Sequence, residues 1–343
     1  MKLFDSFISM DKVCWGIIGC GDVTEVKSGP AFQKVPNSEL VAVMRRDATK
    51  AADYSKRHHV PNWYANADLL INDPGVNAIY VATPPNTHAY YAKKAIAAGK
   101  PVYIEKPMGL TYAECVEVNQ LAAIKKVQVF VAYYRRMLPG FKKVKELIEQ
   151  VAIGDVRIIN IQLYKHAQEN KEHMPWRVNP EIAGGGHFYD LASHQFDFLL
   201  FCFGPIKELY SVVANQAGLY KAEDILSVSF RFENGALGNG TWCFNSDQIN
   251  NRDTIEIIGS KGRIEFSTFD FIPVKLITEK GTETFDFPKP EHVQMPLIEQ
   301  VVNDLRGMGK SVSTGMTGAE TNKILEEIVK KNSIKNKTNK KLG

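Results

Sequence analysis

Between Val13 and about Tyr133 the chain is cut into short, uninterrupted apolar runs: Val13–Ile18, Leu40–Met44, Ala78–Ala82, Val102–Ile104 and Val127–Val131. Runs of this kind predict strands buried on both faces, and the longer stretches between them carry helical texture. Buried strands alternating with helices have one economical arrangement, a parallel, doubly wound sheet covered on both sides. Thr111 and Glu114 have the spacing of a capping box that opens one helix, and Gly99 is placed as the residue that closes the helix before it.

After Gly154 the texture changes. Arg157–Leu163, Leu226–Phe232 and Thr254–Ile258 alternate apolar with polar residues, and Glu233-Asn-Gly235 and Gly259-Ser-Lys-Gly262 read as turns. This predicts a half-exposed, largely antiparallel sheet, with Leu226, Val228, Phe230 and Phe232 on one face and Ser227, Ser229 and Arg231 on the other. A helix over about 187–203 interrupts the strands, and helices near 295–306 and 318–331 follow them. The fold class is therefore α/β: an N-terminal doubly wound parallel sheet, then a C-terminal α/β domain built on a large, mostly antiparallel open sheet.

A chain of 343 residues with 44% hydrophobic content has ample length for two cores. No apolar stretch approaches the roughly 20 residues that cross a bilayer. The first ten residues lack a sustained apolar core and a small-residue cleavage site, so they read as a short tail, with Met10 a second candidate start. The five cysteines, an odd number with no C-x-x-C, read as free thiols of a reducing compartment, and a cytoplasmic location is expected. The formal charge of +4 falls to −2 without Lys330, Lys331, Lys335, Lys337, Lys340 and Lys341, so the basic balance belongs to the C-terminal end and not to a nucleic-acid groove.

The first strand runs into Gly16-Ile-Ile-Gly19-Cys-Gly21-Asp-Val-Thr24. Gly19 permits a tight turn, and Gly21 lets a pyrophosphate approach the backbone where Asp22 and Val23 open a helix. Thr24 stands where a third glycine is usual. At the end of the second strand, Arg45 and Arg46 favour a 2′-phosphate and hence NADP, while Asp47 keeps NAD open, unless it only caps the following helix. Thr83-Pro-Pro-Asn86-Thr-His88 leaves a third strand as a stiff loop at the carboxyl edge of the sheet. Thr83, Pro84, Asn86 and His88 are its candidates for cofactor contact, and Asn86 or Thr87 for a helix cap.

Glu105, Lys106 and Pro107 end another buried run, and the proline keeps Lys106 in extended or turn geometry at the same edge. Farther on, Asp190 and His194 are spaced i, i+4 behind three glycines, Gly184 to Gly186, so they share one helical face. A histidine suits proton exchange near neutrality, and a carboxylate one turn away can orient it, with Asp197 as another partner. A zinc site from His187, Asp190 and His194 lacks a nearby cysteine, so no metal is expected. No G-x-S-x-G elbow supports a serine nucleophile.

Taken together, G-x-G, T-P-P-x-x-H, E-K-P, A-G-G-G and D-x-x-x-H, in this order from Gly16 to about Lys330, resemble the Gfo/Idh/MocA family of nicotinamide-dependent oxidoreductases. The missing third glycine is the main departure. The resemblance implies a Rossmann domain over 11–135 and a substrate and oligomerisation domain over 136–332, between tails at 1–10 and 333–343. It implies catalytic roles for Lys106, Asp190 and His194, and cofactor contacts from Glu105, Lys106, Trp176 and Arg177. Hydride transfer between NADP or NAD and a sugar, polyol or related small molecule is the implied activity, with a homo-oligomer formed through the C-terminal sheet. Relatives that act as dinucleotide-dependent glycosidases, for which His187 is a mild sign, and non-catalytic regulators are the alternatives.

Overall fold

The computed structural model describes residues 10–166 and 174–330, and the expected tails, Met10 apart, lie outside the described residues. The chain forms two compact units. One comprises residues up to Met137 together with Pro290–Asn322, and the other comprises Leu138–Lys289 and the chain from Lys323.

In the first unit β1 (Val13–Ile18), β2 (Ser38–Met44), β3 (Asn62–Tyr64), β4 (Ala78–Val81), β5 (Val102–Ile104) and β6 (Val129–Val131) form a sheet of order β3-β2-β1-β4-β5-β6, parallel at every pairing. The short edge strand β3 carries no apolar run and gives no sequence signal. Side chains alternate across the sheet. Ile18, Ile79, Val81, Val102 and Ile104 join an aliphatic core on one side, while Trp15, Phe32, Tyr80 and Tyr103 build an aromatic core. The capping box forms as read, with Thr111 Oγ1 accepting from Glu114 N at 3.2 Å and Glu114 Oε2 accepting from Thr111 N at 3.4 Å. Gly99 follows its helix at φ +75°, as a closing glycine should.

The second unit holds β7 (Val156–Tyr164), β8 (Ile206–Ala214), β9 (Ile225–Phe232), β10 (Leu237–Cys243), β11 (Arg252–Gly259), β12 (Gly262–Phe266), β13 (Val274–Thr278) and β14 (Gly281–Phe285). They form one sheet, β14-β13-β12-β11-β7-β10-β9-β8, antiparallel except where β10 meets β7. Helix Gly186–Phe203 packs Phe196 on Trp242 and Phe230, and Phe198 on Phe266. β10 escapes sequence detection because Gly238 and Gly240 dilute it. Each glycine makes room for an aromatic ring: a Cβ at Gly238 would lie 2.1 Å from Phe230, and one at Gly240 2.3 Å from Trp242.

The opposite face of this sheet is open and mostly polar. Asn239 donates to Asn160, which donates to Glu256, and Arg263 pairs with Glu256 and Glu265. Tyr210, Val212 and Leu237 stand exposed among them.

The boundaries expected for the second domain need one correction: residues 290–322 pack with the first unit. Val131 N donates to Ser313 O, Ser313 Oγ to Val131 O, and Asn322 Nδ2 to Gly109 O. Helix Met295–Leu305 buries Leu297, Ile298, Val301, Val302 and Leu305. Periodicity revealed that apolar face but not which sheet would take it.

Candidate functional site

Three loops leave neighbouring strand ends at the carboxyl edge of the first sheet, where Ile18, Val81 and Ile104 stand in register. Gly19 lies at φ +93°, and a Cβ on it would fall 2.7 Å from Thr83 Cγ2 and 3.0 Å from Thr83 N, so the glycine turn is pressed against the Thr83 loop. His88 ties that loop to the third one: its Nε2 is 2.6 Å from Thr83 O and its Nδ1 2.8 Å from Pro107 O. Gly19, Thr83, His88, Pro107 and Lys106 are thus one connected edge.

Two expectations change here. His88 is fully buried, so it holds the two loops together and has no surface to offer a cofactor. Burial pushes its imidazole below the ordinary histidine value, against the pull of the two carbonyls. The helix cap expected from Asn86 or Thr87 is not made, because the chain enters the helix through a tight turn, Pro85–Thr87, and the Thr87 hydroxyl donates to Pro84 O at 2.9 Å and lies 2.8 Å from Thr83 Oγ1.

Glu105 is 7% exposed and sits inside the fold. Its Oε1 accepts from Tyr80 Oη at 2.5 Å and Gln294 Nε2 at 2.6 Å, and its Oε2 accepts from the Lys106 N–H at 3.1 Å. The Lys106–Pro107 peptide is cis, and Lys106 is half-buried. Glu105 therefore anchors the turn that presents Lys106, and both of its oxygens are engaged within the protein.

The absent third glycine also has an account. Thr24 is buried; its Oγ1 accepts from Gly21 N at 3.0 Å and lies 2.8 Å from Gly21 O. Close packing falls instead to Gly29, where a Cβ would meet Thr24 O at 2.1 Å and Tyr54 Oη at 2.3 Å. At Gly21 a Cβ would find only Gly19 O, at 3.9 Å. The backbone there is open, as a dinucleotide pyrophosphate requires, so the loop fits that group. Asp22 is exposed, and Val23 follows it in the same short helix.

At the end of β2, Asp47 is used as the helix cap, accepting from Lys50 N at 3.1 Å. Arg45 Nη1 donates to Cys20 O at 3.2 Å, and Arg46 is exposed. Beyond them Arg57 makes a two-point contact with Glu25 at 2.8 Å, and His58 Nε2 lies 2.7 Å from the same carboxylate. These partners, Arg57 first, hold the Glu25 carboxyl down to about 2. A carboxylate with a lowered folded pKa stabilises the fold above its ordinary value of about 4.3 and loses that contribution as pH falls toward 2. Glu25→Gln is therefore expected to lower the melting temperature at pH 7 but to leave it close to wild type at pH 2. An equal drop at both pH values would refute the charge origin.

In the second unit Asp190 and His194 lie one turn apart on helix Gly186–Phe203. Asp190 Oδ2 is 3.8 Å from Arg177 Nε, and the Arg177 guanidinium covers the Trp176 ring at 4.6 Å. His194 is 3% exposed, with its ring edge toward Phe269 at 6.1 Å. His187 packs between the Tyr220 and Phe244 rings, and Asp197 is buried. Sequence reasoning missed Tyr80, Gln294 and Gly29. Only Gly29 carried a local sign, a glycine and proline breaking a short helix.

Comparison with known proteins agrees with this architecture. Residues 13–133 match an oxidoreductase family with an NAD-binding Rossmann fold, and residues 141–265 match the GFO/IDH/MocA C-terminal domain. The chain is 42% identical over 297 residues to Oxidoreductase P35 of Formosa agariphila, covering 85% of this chain and 90% of that one. It is 29% identical over 302 residues to the trans-1,2-dihydrobenzene-1,2-diol dehydrogenase of Bos taurus, covering 87% and 84%. A levoglucosan dehydrogenase solved with NADH shares the fold, with a TM-score of 0.83 at 22% identity over 93% of this chain and 96% of that one. With both domains matched and a relative this similar over nearly the whole length, the chain belongs to the Gfo/Idh/MocA family and is a dehydrogenase or reductase using a nicotinamide dinucleotide.

Proposed function

We propose that this enzyme moves a hydride between NADP(H), or NAD(H), and a hydroxyl-bearing carbon of a sugar, polyol or related small diol. The connected edge Gly19–Thr83–His88–Pro107 carries the reading, because it fixes Lys106 beside the loop that is open to a dinucleotide. The diol dehydrogenase name of the bovine relative supports a substrate with neighbouring hydroxyls. Bound nicotinamide would supply or accept the hydride. Lys106 holds the reacting oxygen and stabilises its developing negative charge, His194 exchanges the hydroxyl proton, and Asp190 orients the histidine and binds a neighbouring hydroxyl. The low exposure of His194 favours a second assignment, in which Lys106 exchanges the proton and His194 only orients it. His194→Ala would then cost much less activity than Lys106→Met.

A panel of sugars, polyols and cyclic diols followed by nicotinamide absorbance tests the activity. A net absorbance change supports oxidoreduction. Release of an aryl glycoside's leaving group without net redox change would replace it with the glycosidase alternative, and His187, packed among aromatic rings, gives that alternative little support.

The cofactor proposed is NADP in preference to NAD, with Asp47 committed to its helix and Arg46 exposed beside it. Arg45→Ala with Arg46→Ala is expected to erase a preference for NADP(H) in titration calorimetry. Tighter NAD(H) binding by the unmodified protein would sink the assignment. The open sheet face, polar and punctuated by Tyr210, Val212 and Leu237, is proposed as the contact between copies, which light scattering would read as a dimer or larger mass. Among the described residues no helix is long and apolar enough to cross a membrane, and a cytoplasmic location is proposed from the cysteine usage.

A further inference from the structure

We infer that Gln294, a residue of the segment that returns to the first unit, is a positioning residue for Lys106, acting with Tyr80 through the Glu105 carboxylate; this rests on the catalytic reading of Lys106. Glu105 is the residue before Lys106, and its carboxylate is held at both ends. One oxygen accepts hydrogen bonds from Tyr80 and Gln294, and the other accepts one from the Lys106 backbone N–H. Gln294 is 0% exposed, and its side-chain amide donates to Glu105 at 2.6 Å and accepts from Tyr103 Oη at 3.1 Å. A neutral amide suits this position because it can give one hydrogen bond and take another at once.

The network reaches the cofactor loop by two routes. Gln294 N donates to Lys27 O, just past the helix that opens at Asp22. The Tyr80 hydroxyl stands 3.2 Å from Ser28 Oγ, which donates to Val23 O at 3.3 Å. The next residues outward are anchored too: His292 is buried, with Nδ1 2.7 Å from Val26 O and Nε2 2.6 Å from Lys34 Nζ. The returning segment thus joins the dinucleotide loop to the turn that carries Lys106. Loss of the Gln294 amide would release the carboxylate that fixes this turn, and small displacements of a reacting group cost catalysis more than they cost binding.

The test measures kcat, KM and cofactor affinity for Gln294→Met, Tyr80→Phe, Lys106→Met and the Gln294→Met/Lys106→Met double variant. Gln294→Met keeps the volume and removes both hydrogen bonds. Its kcat is expected to fall by about 10- to 100-fold, with cofactor affinity retained, and Tyr80→Phe, which keeps the ring, should fall less in the same direction. In the Lys106→Met background, Gln294→Met should add almost nothing, because the group it positions is gone. A merely structural amide would lower kcat further in that background. A full additional loss there, or wild-type rates in both Gln294→Met and Tyr80→Phe beside a slow Lys106→Met, would overturn the positioning role alone. A wild-type rate in Lys106→Met would overturn the catalytic reading and this role with it.

Discussion

Lys106→Met is expected to reduce kcat by about 10²–10⁴-fold, the range for a group that exchanges a proton or holds charge at the reacting atom, while cofactor affinity stays nearly intact. Methionine preserves the length and apolar stem of the lysine. Its backbone N–H can still donate to Glu105, and the turn is further fixed by the His88 ring on Pro107 O, so the loop should keep its shape. The loss would therefore report the ammonium group and not a collapsed edge. Fluorescence titration with NADPH and steady-state kinetics on the same preparation separate the two quantities. A variant that turns over normally, or one that no longer binds dinucleotide, would remove Lys106 from the catalytic role.

Gly29→Ala is expected to be the most damaging single methyl group that can be added near the cofactor loop. The new Cβ would lie 2.1 Å from a backbone oxygen and 2.3 Å from the Tyr54 hydroxyl, which itself donates to Thr24 O at 2.8 Å. Backbone and a buried ring must move together, and overpacking of this kind costs about 1–3 kcal/mol or more. At about 2–4 °C per kcal/mol for a domain of this size, thermal melting should resolve the change. Dinucleotide affinity should fall as well, because Thr24 is the residue that pins Gly21. Gly99→Ala is the control: unlike Gly29 it lies at a positive φ, +75°, but its Cβ would meet nothing within 4 Å, so it should lose stability through backbone strain without losing affinity. Equal affinity in wild type and Gly29→Ala would show that the glycine loop is fixed by other contacts.

The contrast between these two positions shows what the sequence made legible. Lys106 was visible because a buried run, a charge and a proline stand side by side in the chain, and strand ends of a parallel sheet are where ligands bind. The same local logic found the glycine turn, the Thr111 capping box and the alternating face of β9. Gln294 was invisible because its partner Glu105 is 189 positions away, and neither residue alone implies the other. His88 was misread for a related reason: a histidine in a loop at the ligand edge has the address of a contact residue, and only the two carbonyls found on its nitrogens show that it faces inward. β10 shows the opposite failure, for its glycines look like breaks until the Phe230 and Trp242 rings that fill their places are known.

The return of residues 290–322 to the first unit sets the order in which the protein can mature. Domains generally fold during synthesis, the N-terminal one first. Here a nascent chain that has emerged as far as Met137 still lacks Ser313 for the edge of β6, Asn322 for Gly109 and Gln294 for Glu105. Its Glu105 carboxylate waits beside Tyr80 and Tyr103 with a hydrogen-bond partner not yet translated. The contiguous strands β7 to β14 of the second unit are all made in that interval. The half of the molecule that begins first on the ribosome therefore gains its last hydrogen-bond partners only after the strands of the other half have been made.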